Sequence, residues 1–431
     1  AVPARERGPG LVTRAAVVEA QSPGGHRPAR AARLLRRASM LPEVAQFGNK
    51  HGLEEAALQE LHGLMSASIT LTSKRVTIAV PATVANLGPG IDTCGLAVDI
   101  WDEVTVEYAS EFHLEMSGDS SLVPRSREKN LAVAGVESAF TSLGKTLPAV
   151  RICCCHRIPW GRGLGAEAAS FVGGFLAGSV LCGEAVAALG RKGATQDADA
   201  EATLGLIAGL AADGKRTSNV DTLMQLAISR GWSPGNVCPA IYGALQIGVE
   251  TPSGFRGHRV PTPNGLVCVL FVPNDQPDGV SLPKQPVERK AAIANVGHMA
   301  LLINCFCSGD FDMFAKAADD AIGRSHRDAQ FPYMHSVVEC AGEAGATGVF
   351  QCGYGPSVMA LITGRTGDVL AQSSSNELER AVAKAMLSKA DELGCAGRVL
   401  IAKPADIGAH VVAQKSELGV HEDNERIIYF Q

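Results

Sequence analysis

The sequence predicts an α+β protein of two domains preceded by a basic extension, and three observations lead there. Length and composition come first: 431 residues, 46% hydrophobic and 19% charged, supply enough apolar side chains for a large core split between two domains. The second is a change of pattern near Lys74, where an Arg/Ala/Gly/Pro-rich stretch gives way to strand-like alternation. The third is the order of elements after that point, in which strands and helices mix without strict β-α-β alternation.

Taken in order, RPARAARLLRRASM closes a basic stretch, and LPEVAQFGNKHGLEEAALQELHGLM (41–65) predicts a helix in the same extension. RVTIAV (75–80) and LAVDIWDEVTVEY (96–108) alternate like strands around the turn-rich PATVANLGPGID. KNLAVAGVESAFTSL predicts a helix, LPAVRICCCHRIP a strand, and the glycine loop GRGLG (161–165) leads into a helix from Ala166 to about Leu189. RKGATQDADAE (191–201) is polar and predicts a surface excursion, followed by helices to about Arg230. PAIYGALQIGVE opens the second half, where GLVCVLFVP is a buried strand. Helices near 285–306, 309–320, 332–344 and 377–392 alternate there with strands TGVFQ, PSVMALIT and AGRVLIA. The Met and Phe positions of DFDMFAKAADDAI are expected on a buried helix face. The domains are therefore placed at 1–73, 74–246 and 247–412, with a tail at 413–431.

Composition narrows the function classes. No apolar run reaches the roughly 18 residues of a membrane span, so none is expected. Net charge is −5, yet residues 1–40 carry eight arginines and two glutamates, so the rest sums to −11, which argues against nucleic-acid binding. The Arg-rich start reads either as an organelle transit peptide, mitochondrial or plastid, or as a solvated linker of a cytoplasmic protein. The twelve cysteines show no paired C-x-x-C spacing and are expected as buried reduced thiols; no metal site is expected.

The loop IPWGRGLG (158–165) puts three glycines at alternate positions before a helix, the pattern of a phosphate cradle made from backbone N–H groups. Together with PATVANLGPGID and its D-E-V run (102–104), GNVCPAIYGALQI (235–247) and CGYGPSVMAL (352–361), it resembles the homoserine kinases of the GHMP small-molecule kinase superfamily, in order over about 74–412. The resemblance implies two α+β domains with ATP and an amino-alcohol in the cleft between them. It implies magnesium held by a loop hydroxyl and a helix glutamate, and catalysis mainly by positioning and charge neutralisation. Carried over position by position, it assigns Asn86, Asp92, Asn236 and Arg327 to substrate. It assigns Asn130, Gly161, Gly163, Gly165, Gly353, Gly355 and Ser357 to nucleotide.

The departures fall on the chemistry. The loop's expected Ser-Ser pair is Ala166-Glu167, and the expected metal-binding glutamate is Val180. Ser233 and Gly235 replace the His and Asp of the substrate segment, and Gly279 replaces an arginine. Cys352 and Tyr354 stand where small residues are typical, and Tyr354 is expected to protrude into the loop's space. Glu167 and Glu184 are the candidate substitutes for the metal ligand if the protein is active. Plainer readings exist as well: Asn86 and Asp92 as turn caps, Arg162 and Arg327 as surface ion pairs, His156 as a strand-end surface residue.

The sequence therefore favours a homoserine-kinase-like protein that has lost catalysis and is retained as a structural or interaction subunit of an organellar assembly. Its partners would be other protein subunits contacting 1–65 and 413–431, with no cofactor expected. The alternatives are an active homoserine kinase using ATP and Mg, and a sensor that binds ligand without turnover.

Overall fold

The computed structural model describes residues 75–182, 219–252, 254–275, 286–363, 369–412 and 428–430. The helix expected at 41–65, the end of the helix expected to reach Leu189, Glu184, the polar excursion 191–201 and Gly279 lie outside them.

Two sheets organise these residues. The first has seven strands: β1 (Arg75–Asn86), β2 (Gly90–Tyr108), β3 (His113–Gly118), β4 (Val150–His156), β5 (Leu245–Thr251), β6 (Gly254–Val260) and β11 (His410–Val411). Its path runs β11-β1-β2-β4-β3, antiparallel except for the parallel β3–β4 pair, and β5 joins β2 while β6 pairs β5. The second sheet is antiparallel, in the order β12-β10-β7-β9-β8, from β12 (Ile428–Phe430), β10 (Gly397–Ala402), β7 (Val267–Pro273), β9 (Val358–Ile362) and β8 (Gly348–Gln351).

The helices are α1 (Leu131–Ser142), α2 (Ala166–Leu181), α3 (Asn219–Ser229), α4 (Pro234–Tyr242), α5 (Arg289–Ser308), α6 (Phe314–Ala317), α7 (Arg324–Gln330), α8 (Met334–Glu343) and α9 (Val369–Glu392). The α2 sequence AEAASFVGGFLAGSVL is apolar on every side, and every residue but Glu167 is buried. That is the signature of a helix enclosed by protein rather than laid on its surface. Glycines let it be enclosed: a Cβ on Gly174 would stand 2.1 Å from Ala132 O, and one on Gly135 would stand 2.3 Å from Phe171 O. α1 and α2 therefore cross backbone against backbone, with the first sheet beneath them. Valines and alanines of β1 and β2 contribute to that core, among them Val80, Ala82, Val84, Val98 and Val104.

Several expectations are corrected. The turn between the first two strands shrinks to Leu87-Gly88-Pro89, because β1 continues through PATVAN to Asn86 and β2 starts at Gly90. The boundary after 246 falls inside β5; strand pairing keeps 245–260 in the first sheet and the second begins at Val267. The strand 113–118 and the helix 324–330 gave too short a periodic signal to be read. The helix expected over 309–320 is a single turn at Phe314–Ala317, with Phe314 buried and Met313 55% exposed. α5 is long and apolar enough to cross a membrane by length and composition, with a mean hydropathy of 1.5, although no uninterrupted apolar run marks it. Its inner side, Leu302, Cys305 and Phe306, packs into the first core.

All twelve cysteines are free, and Cys153, Cys154 and Cys155 alternate in burial along β4. Burial pushes the Cys94, Cys154, Cys238 and Cys268 thiols up to about 12, so they behave as small apolar side chains.

Candidate functional site

The glycine loop between β4 and α2 is fixed at its entry by a carboxylate. Asp102 of β2 accepts from Arg157 N at 2.7 Å and Ile158 N at 2.8 Å, and its other oxygen meets His156 Nδ1 at 2.9 Å. Asp102 and His156 are each 1% exposed, so His156 is a buried residue and not a surface one. Arg162 is also buried: its Nε donates to Pro273 O at 2.8 Å and its Nη2 to Asn274 O, at the end of β7. The surface ion pair read from sequence is replaced by a tie between the loop and the second sheet.

The loop then runs through Gly161, Gly163 and Gly165 at φ of 67°, 78° and 74°, the left-handed region that glycine enters without strain. At Gly163 the backbone requirement is absolute as well as conformational. A Cβ there would lie 2.2 Å from Cys352 O and 2.7 Å from Gly355 Cα. The loop and the 352–357 turn thus meet backbone to backbone. Gly165 precedes α2 without any side-chain cap, leaving the first N–H groups of the helix without side-chain acceptors. Ala166 is buried and Glu167 exposed, so a carboxylate occupies the first turn of the same helix end.

Asn86 joins two motifs. Its Oδ1 accepts from Asp92 N at 3.0 Å and its Nδ2 donates to Gly353 O at 3.2 Å, while Gly353 N donates to Ala85 O. Asn86, Leu87 and Asp92 all have positive φ, at 74°, 44° and 56°. Three non-glycine residues in that region mark a strained loop that its surroundings must hold. The Tyr354 hydroxyl lies beside the Asp92 carboxylate, and burial followed by that carboxylate raises the Tyr354 phenol well above its ordinary value. Tyr354 therefore reaches the substrate-side loop rather than the glycine loop's space.

Arg327 is 7% exposed and pairs with buried Asp320, whose Oδ1 also takes Asn295 Nδ2, Ile322 N and Gly323 N. It too is no surface pair. Asn236 Oδ1 accepts from Thr83 Oγ1 at 3.0 Å, and Thr83 N donates to Leu164 O, so a threonine unnoticed in the sequence links α4 to the loop. Ser233 caps α4 through Gly235 N. A side chain at Gly235 would begin 2.5 Å from Cys94 O, which leaves no room for an aspartate.

Asn130 is a helix cap. Its Oδ1 accepts from Ala132 N and Val133 N, its Nδ2 donates to Pro124 O, and it is 1% exposed, so its amide is already bonded to α1 and the segment before it. Ser357 is fully buried and its hydroxyl has no partner among the described residues, while Tyr333 Oη donates to Pro356 O and Gln351 Nε2 to Gly355 O. Val180 is 5% exposed in the first core. A homoserine kinase of Clavibacter michiganensis is 30% identical over 299 residues, covering 68% of this chain and 84% of its own. The chain belongs to the homoserine kinase family. A homoserine kinase of Moorella thermoacetica is 29% identical over 67% of this chain and 88% of its own. The crystal structure of a homoserine kinase from Cytophaga hutchinsonii superposes with a TM-score of 0.61 at 24% identity, covering 79% of this chain and 98% of that one. No protein-family model matches the chain. The fold is that of the GHMP kinases.

Magnesium does not fit the residues present at the two positions that the family assigns to it. Ala166 and Val180 are buried and carry no oxygen, and Mg²⁺ requires hard oxygen ligands in near-octahedral array. Among the described residues no three His, Cys, Asp or Glu side chains converge to hold a metal ion.

Proposed function

We propose that this member of the homoserine kinase family does not transfer phosphate and is retained as a structural or interaction subunit. The observation that carries the proposal is the pair Ala166 and Val180, both apolar and both packed into the core along α2. The substrate-side residues support it. Arg327 is paired with Asp320, Asn86 is bonded to Gly353 and Asn236 to Thr83, and Asp92 lies beside Tyr354, so each already has a neighbour inside the protein. Glu167 adds a negative charge at the helix end where a phosphate would bind. Two like charges about 4 Å apart near a protein surface repel by up to roughly 4 kcal/mol, and less where solvent screens them.

The contact segments we propose are 1–65 and 413–431, and the compartment an organelle, on the strength of the Arg-rich start. A second reading, an active homoserine kinase, is favoured by the glycine loop: Gly161, Gly163 and Gly165 keep a path that exposes N–H groups at an uncapped helix start. Glu167 or Glu184 would then have to replace the missing ligand. Incubation of the full chain with Mg-ATP and homoserine decides between the two. ADP formed only when homoserine is present establishes the kinase and ends our proposal; stabilisation by ligand without turnover identifies a sensor.

A further inference from the structure

Three segments far apart in the chain meet around one side chain, Tyr354. The loop leaving β1 supplies Asn86 to Asp92, the turn after β8 supplies Cys352 to Ser357, and the stretch between α6 and α7 supplies Ala318 to Gly323. Asn86 Nδ2 donates to Gly353 O at 3.2 Å and Gly353 N to Ala85 O at 3.1 Å, which ties the turn to the loop. A Cβ on Gly88 would stand 2.2 Å from Ala318 O, so the loop also lies directly on the third segment. The turn is braced from its other side, where Tyr333 Oη donates to Pro356 O and Gln351 Nε2 to Gly355 O. Tyr354 is half-buried within this frame, and its ring packs against the second core. The backbone on both sides of the ring is therefore held, and the ring stays where it is placed.

The groups around the phenol carry opposite charges. The exposed Asp92 carboxylate lies beside the hydroxyl, and the buried Arg327, paired with Asp320, acts on the same phenol. A carboxylate and a guanidinium that both reach one position can take the two ends of a zwitterion, ammonium to the first and carboxylate to the second. A phenol uses this arrangement poorly, because it offers a single O–H and no charge. Its ring nevertheless fills the position, and a ligand's head group cannot share it.

We propose that Tyr354 is a built-in plug, whose ring occupies the space between the 86–92 loop and Arg327 and excludes the small zwitterionic amino acids that this space would otherwise hold. The inference rests on the reading that the substrate-side residues no longer serve phosphate transfer, and it adds that one side chain closes their site. Tyr354 is thus the residue that sets what the chain refuses, independently of the metal positions Ala166 and Val180.

Binding of L-homoserine, without nucleotide, to the full-length parent and to Tyr354→Phe and Tyr354→Ala variants tests the proposal, read by calorimetry and by melting temperature. The parent and Tyr354→Phe both keep the ring, and neither should bind at millimolar ligand. Tyr354→Ala should bind saturably, about tenfold or more tightly than the parent, and its melting temperature should rise with ligand. In that background Asp92→Asn should weaken binding by about tenfold or more, and uncharged 1,4-butanediol should not compete. Tyr354→Ser serves where Tyr354→Ala folds poorly. Saturable binding to the parent overturns the proposal, as does binding to Tyr354→Phe equal to that of Tyr354→Ala, or no binding to either small variant. Mg-ATP then separates this inference from the loss of catalysis. A Tyr354→Ala chain that binds L-homoserine and forms ADP upholds the plug and removes the reading of lost phosphate transfer. A parent that binds L-homoserine without forming ADP removes the plug alone.

Discussion

Replacing Asp102 by alanine should cost far more stability than an ordinary point change, because this one carboxylate holds the start of the glycine loop. It accepts from Arg157 N at 2.7 Å, Ile158 N at 2.8 Å and His156 Nδ1 at 2.9 Å, and it is 1% exposed. A hydrogen bond to a charged group contributes about 1.5–3 kcal/mol, and a buried donor left without an acceptor carries its full desolvation cost. The three bonds share one group and do not add, so the loss is about 4 kcal/mol. With a urea slope of about 3 kcal/mol/M, the unfolding midpoint should fall by about 1.3 M. Asp102→Asn keeps an oxygen for the two backbone N–H groups but loses the charge, and it should cost about half as much. Urea unfolding followed by circular dichroism reads both values. Losses of less than about 1 kcal/mol for both variants would refute the assignment of Asp102 as the anchor of the loop.

Gly163→Ala places a methyl 2.2 Å from Cys352 O at a φ of 78°, and it should lower stability by about 3 kcal/mol or more; an unchanged melting temperature contradicts the close crossing of the loop and the 352–357 turn. Burial lowers the His410 pKa, against the opposing pulls of Gly408 O and Glu103. The unfolded chain therefore binds this proton first. The contribution of His410 is complete above about pH 6.5 and is lost as pH falls below that value. Thermal unfolding between about pH 5 and 7 should show a shallower decline for His410→Gln than for the parent, and equal declines would contradict the assignment.

The fold was legible because its signals are long and local. The alternation through 75–108, the glycine-to-helix step at 161–166 and the all-apolar α2 each mark an element without any tertiary knowledge. Three-residue and six-residue strands such as β12 and β3 carry too few periods to stand out, and they form because an open neighbouring edge receives them. The glycines of the loop were legible for the same local reason. Burial was not: His156, Arg162 and Arg327 look like surface groups in a linear reading. Their partners, Asp102, the carbonyls of Pro273 and Asn274, and Asp320, lie 54, 111, 112 and 7 residues away or contribute only backbone atoms. Thr83 gave no signal, since a threonine within a strand is ordinary and its bond to Asn236 spans 153 residues. Asn130 shows the reverse case: helix capping fully explains a residue that resemblance had assigned to the nucleotide.

The central claim concerns the nucleotide, and titration calorimetry of the full-length chain with Mg-ATP tests it most directly. With Ala166 and Val180 at the two metal positions and Glu167 exposed on the first turn of α2, the chain should give no detectable heat of binding, with or without homoserine. Saturable, magnesium-dependent binding that Gly163→Ala abolishes would contradict it.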